Sequence, residues 1–246
     1  MAEWNWYNLI YEIEELLRAQ SFVEEHTLIR KKKFNPKQLI RLFLIIILVS
    51  VLMNALRVGP FINLLVYFTN WSLISTLLTC WLGYMIAGSR NLHIDNATNM
   101  HALHHLFYTL SLFMNPVVFF MYWGVIHNEH MKEIRIKNEG NETLIQMKIW
   151  HAYIVHTVPF VCNLAQMFIN NSVLIRRHYM FLIYFSLLYS LNNFVQVKLR
   201  GNDPGYWFLT WEDHQSLLIC CFVIAACVSL FLLTALFDEW FTQRDS

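Results

Sequence analysis

Two polar residues stand out because they lie inside apolar stretches of the sequence and have side chains that take part in acyl transfer. Thr69 lies in the stretch YFTNWS, and His156 lies in the stretch IWHAYIVHTVPF. A threonine hydroxyl becomes an effective nucleophile when a neighbouring base accepts its proton, and neutral imidazole suits that role near pH 7. If the two side chains meet, they predict ester cleavage with Thr69 as the nucleophile and His156 as the base.

Further residues are candidates for supporting this chemistry. Asn70 or Asn163 can donate a hydrogen bond to the oxyanion that develops on the attacked carbonyl. The apolar stretches around the pair contain no Asp or Glu, so the site is either a dyad or is completed by Asp213 or its neighbour Glu212. A purely structural interpretation stays open, because a threonine in a membrane helix commonly bonds the carbonyl four residues earlier and a buried histidine can serve packing alone.

The composition shows that a lipid bilayer must hold the elements that position these side chains. Hydrophobic residues make up 57% of the chain, aromatic residues 16% and charged residues 14%, which leaves too little polar surface for a water-soluble globule of this size. A helix that spans a bilayer needs about 20 apolar residues. The segments that meet this requirement are Leu39–Leu56, Phe61–Ala87, Leu103–Ile126, Trp150–Ile169, Tyr179–Val197 and Leu217–Phe237. The sequence therefore predicts an all-α, polytopic membrane protein with a six-helix transmembrane bundle and an N-terminal amphipathic helix.

The predicted spans also bring the two candidate residues to one depth. The second and fourth spans enter from the same face, and Thr69 and His156 lie roughly 12 Å and 9 Å along them at about 1.5 Å per residue. Ser72 and Thr76 continue the face of Thr69, and Asn163 continues that of His156. We expect these two polar stripes to meet across one helix interface.

Three parts of the chain are distinguished by charge and periodicity. Residues 1–37 combine apolar residues at helical spacing with the basic run IRKKKF, which is typical of an interfacial helix with an anchor for anionic headgroups, or of one docked on a partner protein. Residues 38–240 form the transmembrane domain, and residues 241–246 a short polar tail. The expected partners are membrane lipids and a protein that contacts the N-terminal helix. The net charge of +1 argues against nucleic acid.

Two short motifs resemble those of the family of androgen-induced and androgen-dependent tissue-factor-pathway-inhibitor-regulating proteins, which are transmembrane threonine hydrolases. Tyr67-Phe68-Thr69 is similar to the Tyr-x-Thr motif of an early span, and His156-Thr157 to the His-Thr pair of a later one. The resemblance extends from about residue 40 to 237 and includes weaker features at Asn115–Trp123 and Pro204–Asp213. It implies six spans, a threonine nucleophile, a histidine base, no cofactor, and fatty acid esters of hydroxy fatty acids as substrates.

Two other interpretations compete with a hydrolase. His101, His104 and His105 have a spacing at which imidazoles can converge on a metal, but the other histidines needed for a di-iron site lie across the predicted bilayer, so we expect no metal. The second is a non-catalytic accessory subunit of a large membrane complex that retains the hydrolase-like fold. The expected membrane is that of the endoplasmic reticulum or the mitochondrial inner membrane.

Overall fold

The computed structural model describes residues 36–58, 66–88, 94–170, 174–201 and 205–242. These residues are helical apart from short connections, and no strand occurs among them. The helices are α1 (Pro36–Val58), α2 (Phe68–Gly88), α3 (Ile94–Met121), α4 (His127–Lys137), α5 (Glu142–Ile169), α6 (Tyr179–Leu199) and α7 (Gln215–Thr242). A π-helix, Tyr122–Ile126, joins α3 to α4, and a 3₁₀ turn, Arg176–His178, precedes α6. The predicted N-terminal amphipathic helix and the polar tail lie almost wholly outside the described residues.

Within the described ranges, 6 helical segments are long and apolar enough to cross a membrane. The prediction of an all-α, six-helix transmembrane bundle is therefore confirmed, and the fold is consistent with an integral membrane protein. A helix suits this solvent because it satisfies its backbone hydrogen bonds internally. Large apolar side chains point outward from the bundle, such as Phe222, which is 74% exposed. Their exposure is expected where the surrounding solvent is lipid.

The third span lies in the middle of the bundle, where α3 packs against α2, α5, α6 and α7. On one side, an apolar cluster joins α1, α2 and α5 through residues such as Leu48, Leu73 and Val155. On the other side, a second cluster joins α3, α6 and α7, with the rings of Phe113 and Phe231 at 5.0 Å. The bundle thus consists of two halves that share α3, and side chains from both halves can face a space beside it.

The polar segment after the third span is largely helical. The third span continues through the π-helix into α4, and the chain reverses in a turn at residues 138–140, where Gly140 has a φ of 85°. Asn141 then caps α5, because its side chain accepts a hydrogen bond from the Leu144 N–H at 3.0 Å. Ile134, Ile145 and Ile149 form a small apolar cluster between the two arms. The polar segment and the start of α5 thus form a helical hairpin around this turn.

The connection between α6 and α7 is fixed by side-chain hydrogen bonds. The Trp211 indole N–H donates to Asn193 Oδ1 at 2.8 Å, and the Trp211 backbone N–H donates to Ser216 Oγ at 2.9 Å. Trp211 has a φ of 58°, a left-handed conformation that is strained for a bulky residue and persists where contacts hold it. These contacts hold the connection, including Tyr206, against the ends of the helices.

Candidate active site

Thr69 and His156 line the same cavity inside the bundle. The cavity has a volume of about 90 Å³, and its wall is contributed by α2, α3, the π-helix, α5, α6, α7 and the α6–α7 connection. Most of the wall is apolar. The polar residues that line it are Thr69, Tyr122, His156, Ser186, Tyr189, Ser190, Tyr206 and Cys220. The site is therefore a mainly apolar chamber with a few polar groups, which is the usual composition of a small-molecule pocket.

The helices around the pair begin at positions other than those expected. Thr69 is the second residue of α2, and α5 begins at Glu142 rather than near Trp150. Residues 59–65, where the second span was expected to start, lie outside the described residues. Both side chains reach the wall of one cavity. There the Thr69 side chain hydrogen-bonds with Tyr206 and His156 with the Ala152 carbonyl, not with each other.

Thr69 is held beside a phenol from the α6–α7 connection. The Phe68 N–H donates to Tyr206 Oη at 3.1 Å, and the Thr69 side chain also hydrogen-bonds with this hydroxyl. The first N–H groups of a helix have no partner within the helix, so Tyr206 supplies one at the start of α2. The Tyr206 ring meets the Tyr67 ring edge-on at 5.7 Å. Thr69 is 6% exposed and is thus a sequestered hydroxyl with a polar neighbour.

The tautomer of His156 follows from its hydrogen bond. His156 Nδ1 lies 2.7 Å from the Ala152 carbonyl oxygen of the preceding turn. A carbonyl can only accept, so Nδ1 carries the proton and Nε2 keeps the lone pair of the neutral ring. A neutral imidazole with an available Nε2 is the form that acts as a general base.

Tyr122 fixes the plane of the His156 ring. The two rings stack with centroids 3.6 Å apart and an interplanar angle of 7°. Tyr122 is the first residue of the π-helix, and its hydroxyl lies 3.4 Å from His127 Nδ1. π-Helical turns are frequent at functional sites because they displace side chains from their α-helical positions. Tyr122 was not among the residues predicted from the sequence, although the aromatic-rich stretch around it was noted.

The structure places the predicted supporting residues away from the cavity wall. Asn163 is buried between helices and accepts a hydrogen bond from Ser111 Oγ at 3.1 Å. Asp213 is exposed and accepts the Gln215 N–H at 2.9 Å. Asn70 is buried but does not line the cavity, and Glu212 is exposed. None of these four side chains lines the cavity, and the groups that contact the His156 ring are a carbonyl oxygen and a phenol ring.

The polar stripes of the second and fourth spans are connected by hydrogen bonds that run through α3. Ser72 Oγ donates to Asn115 Oδ1 at 2.8 Å, and Asn115 Nδ2 donates to Thr76 Oγ1 at 2.8 Å. Ser111, one turn before Asn115, reaches Asn163. We call these five residues the Asn115 network. In the sequence, Asn115 stands out only as the first residue of Asn115–Trp123, a segment that is similar to a weaker feature of the androgen-induced family.

The three clustered histidines point to different partners. His105 Nε2 lies 2.8 Å from His178 Nδ1, so this ring pairs with the segment before α6. His104 is buried, stacks near Tyr108, and lies with Arg41 beside Gly83. Among the described residues, no group of three His, Cys, Asp or Glu side chains is arranged to hold a metal ion. His105 thus pairs with a residue of another segment, and His104 packs beside Tyr108 of its own helix.

Comparison with known proteins adds no identification. No family model, curated protein or solved structure matches the chain. The cavity itself holds a threonine hydroxyl, an imidazole whose Nδ1 donates to a carbonyl, and a phenol in contact with the hydroxyl.

Proposed function

We propose that the protein is an integral-membrane hydrolase that cleaves lipid esters, with Thr69 as the nucleophile and His156 as the base. The observation that carries the proposal is that these two residues, from separate spans, line one mainly apolar cavity. The hydrogen bond that leaves Nε2 of His156 as the acceptor is the second support. The motif resemblance to the androgen-induced family adds to both.

The reaction proceeds in two halves. Thr69 Oγ1 attacks the ester carbonyl carbon while His156 Nε2 takes its proton, and the carbonyl π electrons move onto the oxygen. Collapse of this intermediate breaks the bond to the alcohol, which leaves with the proton from His156, and an acyl-threonine ester remains. Water then attacks this ester, gives a proton to His156, and releases the fatty acid as the proton returns to Thr69.

The lining of the cavity supports a lipid ester as the proposed substrate. Apolar side chains of α3 and α7 accommodate methylene groups, while a volume of about 90 Å³ admits the ester and a short length of chain. The remainder of the acyl chain must therefore extend out of the cavity toward lipid. Fatty acid esters of hydroxy fatty acids fit this description, and we propose them as the first substrates to test, with the endoplasmic reticulum or mitochondrial inner membrane as the location.

The test uses purified full-length protein in liposomes that contain such an ester. Wild type should release fatty acid and react covalently with a fluorophosphonate probe. Thr69→Val should lose both activities by roughly 10³-fold or more, and His156→Gln should lose hydrolysis to a similar extent. Thr234→Val is the matched control, because Thr234 bonds only the Leu230 carbonyl of its own helix at 2.8 Å.

Equal labelling of wild type and Thr69→Val, or no labelling and no hydrolysis by either, would contradict the proposal. The accessory-subunit alternative would then gain support. In that case, co-purification from native membranes should yield a stable large complex.

A further inference from the structure

Tyr206 has an environment that the proposed nucleophile alone does not explain. Its hydroxyl oxygen accepts the Phe68 N–H at 3.1 Å, hydrogen-bonds with Thr69, and faces the same cavity. Burial raises the pKa of the Tyr206 phenol to about 12, while the hydrogen bonds from Thr69 and from the Phe68 N–H act in the opposite direction, as donors to the phenol oxygen do. The phenol therefore stays protonated at physiological pH and retains one proton to donate.

The proposed reaction requires such a donor. Ester cleavage places negative charge on the carbonyl oxygen, and a preorganised donor aimed at that oxygen lowers the barrier. Asn70 and Asn163, the donors expected from the sequence, do not line the cavity. Among the other phenols of the wall, Tyr189 donates its hydroxyl to the Val66 carbonyl at 3.0 Å. Tyr122 stacks on His156, on the side of the base rather than of the nucleophile.

The hydrogen bonds of Tyr206 also direct its proton. The Phe68 N–H donates to the Tyr206 oxygen, and the side chains of Thr69 and Tyr189 also hydrogen-bond with the Tyr206 hydroxyl. A hydroxyl that accepts hydrogen bonds becomes a better donor, since such bonds polarise one another. The Tyr189 proton goes to the Val66 carbonyl, so the Tyr189 oxygen accepts the Tyr206 proton on the cavity wall, and an entering carbonyl oxygen can replace Tyr189 as the acceptor.

We propose that Tyr206 is a catalytic residue that donates a hydrogen bond to the carbonyl oxygen of the ester attacked by Thr69. This role rests on the proposed hydrolase function. When the substrate enters, the Thr69 hydroxyl turns its proton from Tyr206 to His156 Nε2. The Tyr206 proton meets the oxygen that gains the negative charge and is not transferred. Each later step proceeds as above, with the same hydrogen bond formed again during attack by water.

The experiment compares Tyr206→Phe with wild type in the liposome assay. The variant keeps the ring and its contact with Tyr67 but lacks the hydroxyl. We expect kcat to fall about 10²-fold or more with little change in KM, because the lost bond forms fully only in the transition state. The rate of fluorophosphonate labelling should fall in parallel. Tyr184→Phe, which removes a phenol hydroxyl from the outer part of α6, should leave both rates unchanged; Tyr184 does not line the cavity.

Folding and chemistry are separated by two further measurements. The thermal unfolding midpoint of Tyr206→Phe reports the loss of the cap on α2, and rates are expressed per folded molecule. Tyr206→His restores a ring with a hydrogen-bond donor, and it should hydrolyse the ester at least tenfold faster than Tyr206→Phe. A Tyr206→Phe protein whose kcat stays within twofold of wild type, while Thr69→Val is inactive, would overturn the role of Tyr206 alone. A wild-type protein without hydrolysis or labelling would overturn the proposed function and this role together.

Discussion

Replacing Asn115 with leucine should weaken the bundle measurably. Asn115 is 1% exposed, accepts from Ser72 on α2, and donates to Thr76 on the same helix. Leucine has a similar size but makes neither bond. Hydrogen bonds between helices in a bilayer average about 0.6 kcal/mol and reach about 1.7 kcal/mol. The two bonds together therefore predict a loss of roughly 1 to 3.5 kcal/mol in the free energy of unfolding.

The assay is unfolding of the purified protein in mixed micelles by added sodium dodecyl sulfate, followed by tryptophan fluorescence. A double-mutant cycle with Ser72→Ala isolates one of the two bonds and should give a coupling energy of about 0.6 to 1.7 kcal/mol. Ser50→Ala is the matched control, since Ser50 is exposed and bonds only the Ile46 carbonyl of its own helix at 2.8 Å. Wild-type stability in Asn115→Leu, or a coupling energy of zero, would refute the argument that this network joins the helices.

Three other changes test separate parts of the structure. Gly83→Ala should lower the free energy of unfolding by about 1 to 3 kcal/mol, because the new Cβ would lie 2.9 Å from Arg41 Nε and 3.0 Å from His104 Nε2. Gly124→Ala is the control and should not lower it, because no atom lies within 4 Å of the new Cβ there. Equal effects of the two substitutions would contradict the prediction. Tyr122→Leu removes the stack on His156 and should slow ester hydrolysis about two- to tenfold at unchanged KM; an unchanged rate would show that the ring needs no support. Asn141→Ala removes a helix cap and should cost about 1 kcal/mol, seen as faster amide hydrogen exchange at the start of α5 with hydrolysis unaffected; slowed hydrolysis would show that the hairpin influences the site.

The sequence predicted the spans well because each is an apolar run of bilayer length. The ends of the helices and the partners of the buried side chains were predicted less well. The helix α4 is polar in sequence and was not predicted as an element, and Ile134 packs against Ile145 and Ile149 where the two arms meet. Such packing depends on the turn at Gly140, whose geometry the composition of either arm does not reveal.

The site was predictable only in part, for a related reason. Thr69 and His156 are conspicuous because a hydroxyl and an imidazole are unusual among apolar neighbours. Tyr122 and Tyr206 lie in aromatic-rich stretches of a kind common at membrane interfaces, so nothing in their spacing distinguishes them. Their roles depend on a π-helical turn and on a connection held by Trp211, and both are properties of the folded chain.

The hairpin of α4 and α5 also has a practical consequence. It carries its own apolar cluster and continues the helix that passes the cavity, so its direction is coupled to that of the third span. A rigid domain inserted at residues 138–140 would therefore be held firmly while remaining distant in sequence from Thr69 and Tyr206. For a chain of 29.4 kDa, such an insertion offers a fiducial by which single particles can be aligned.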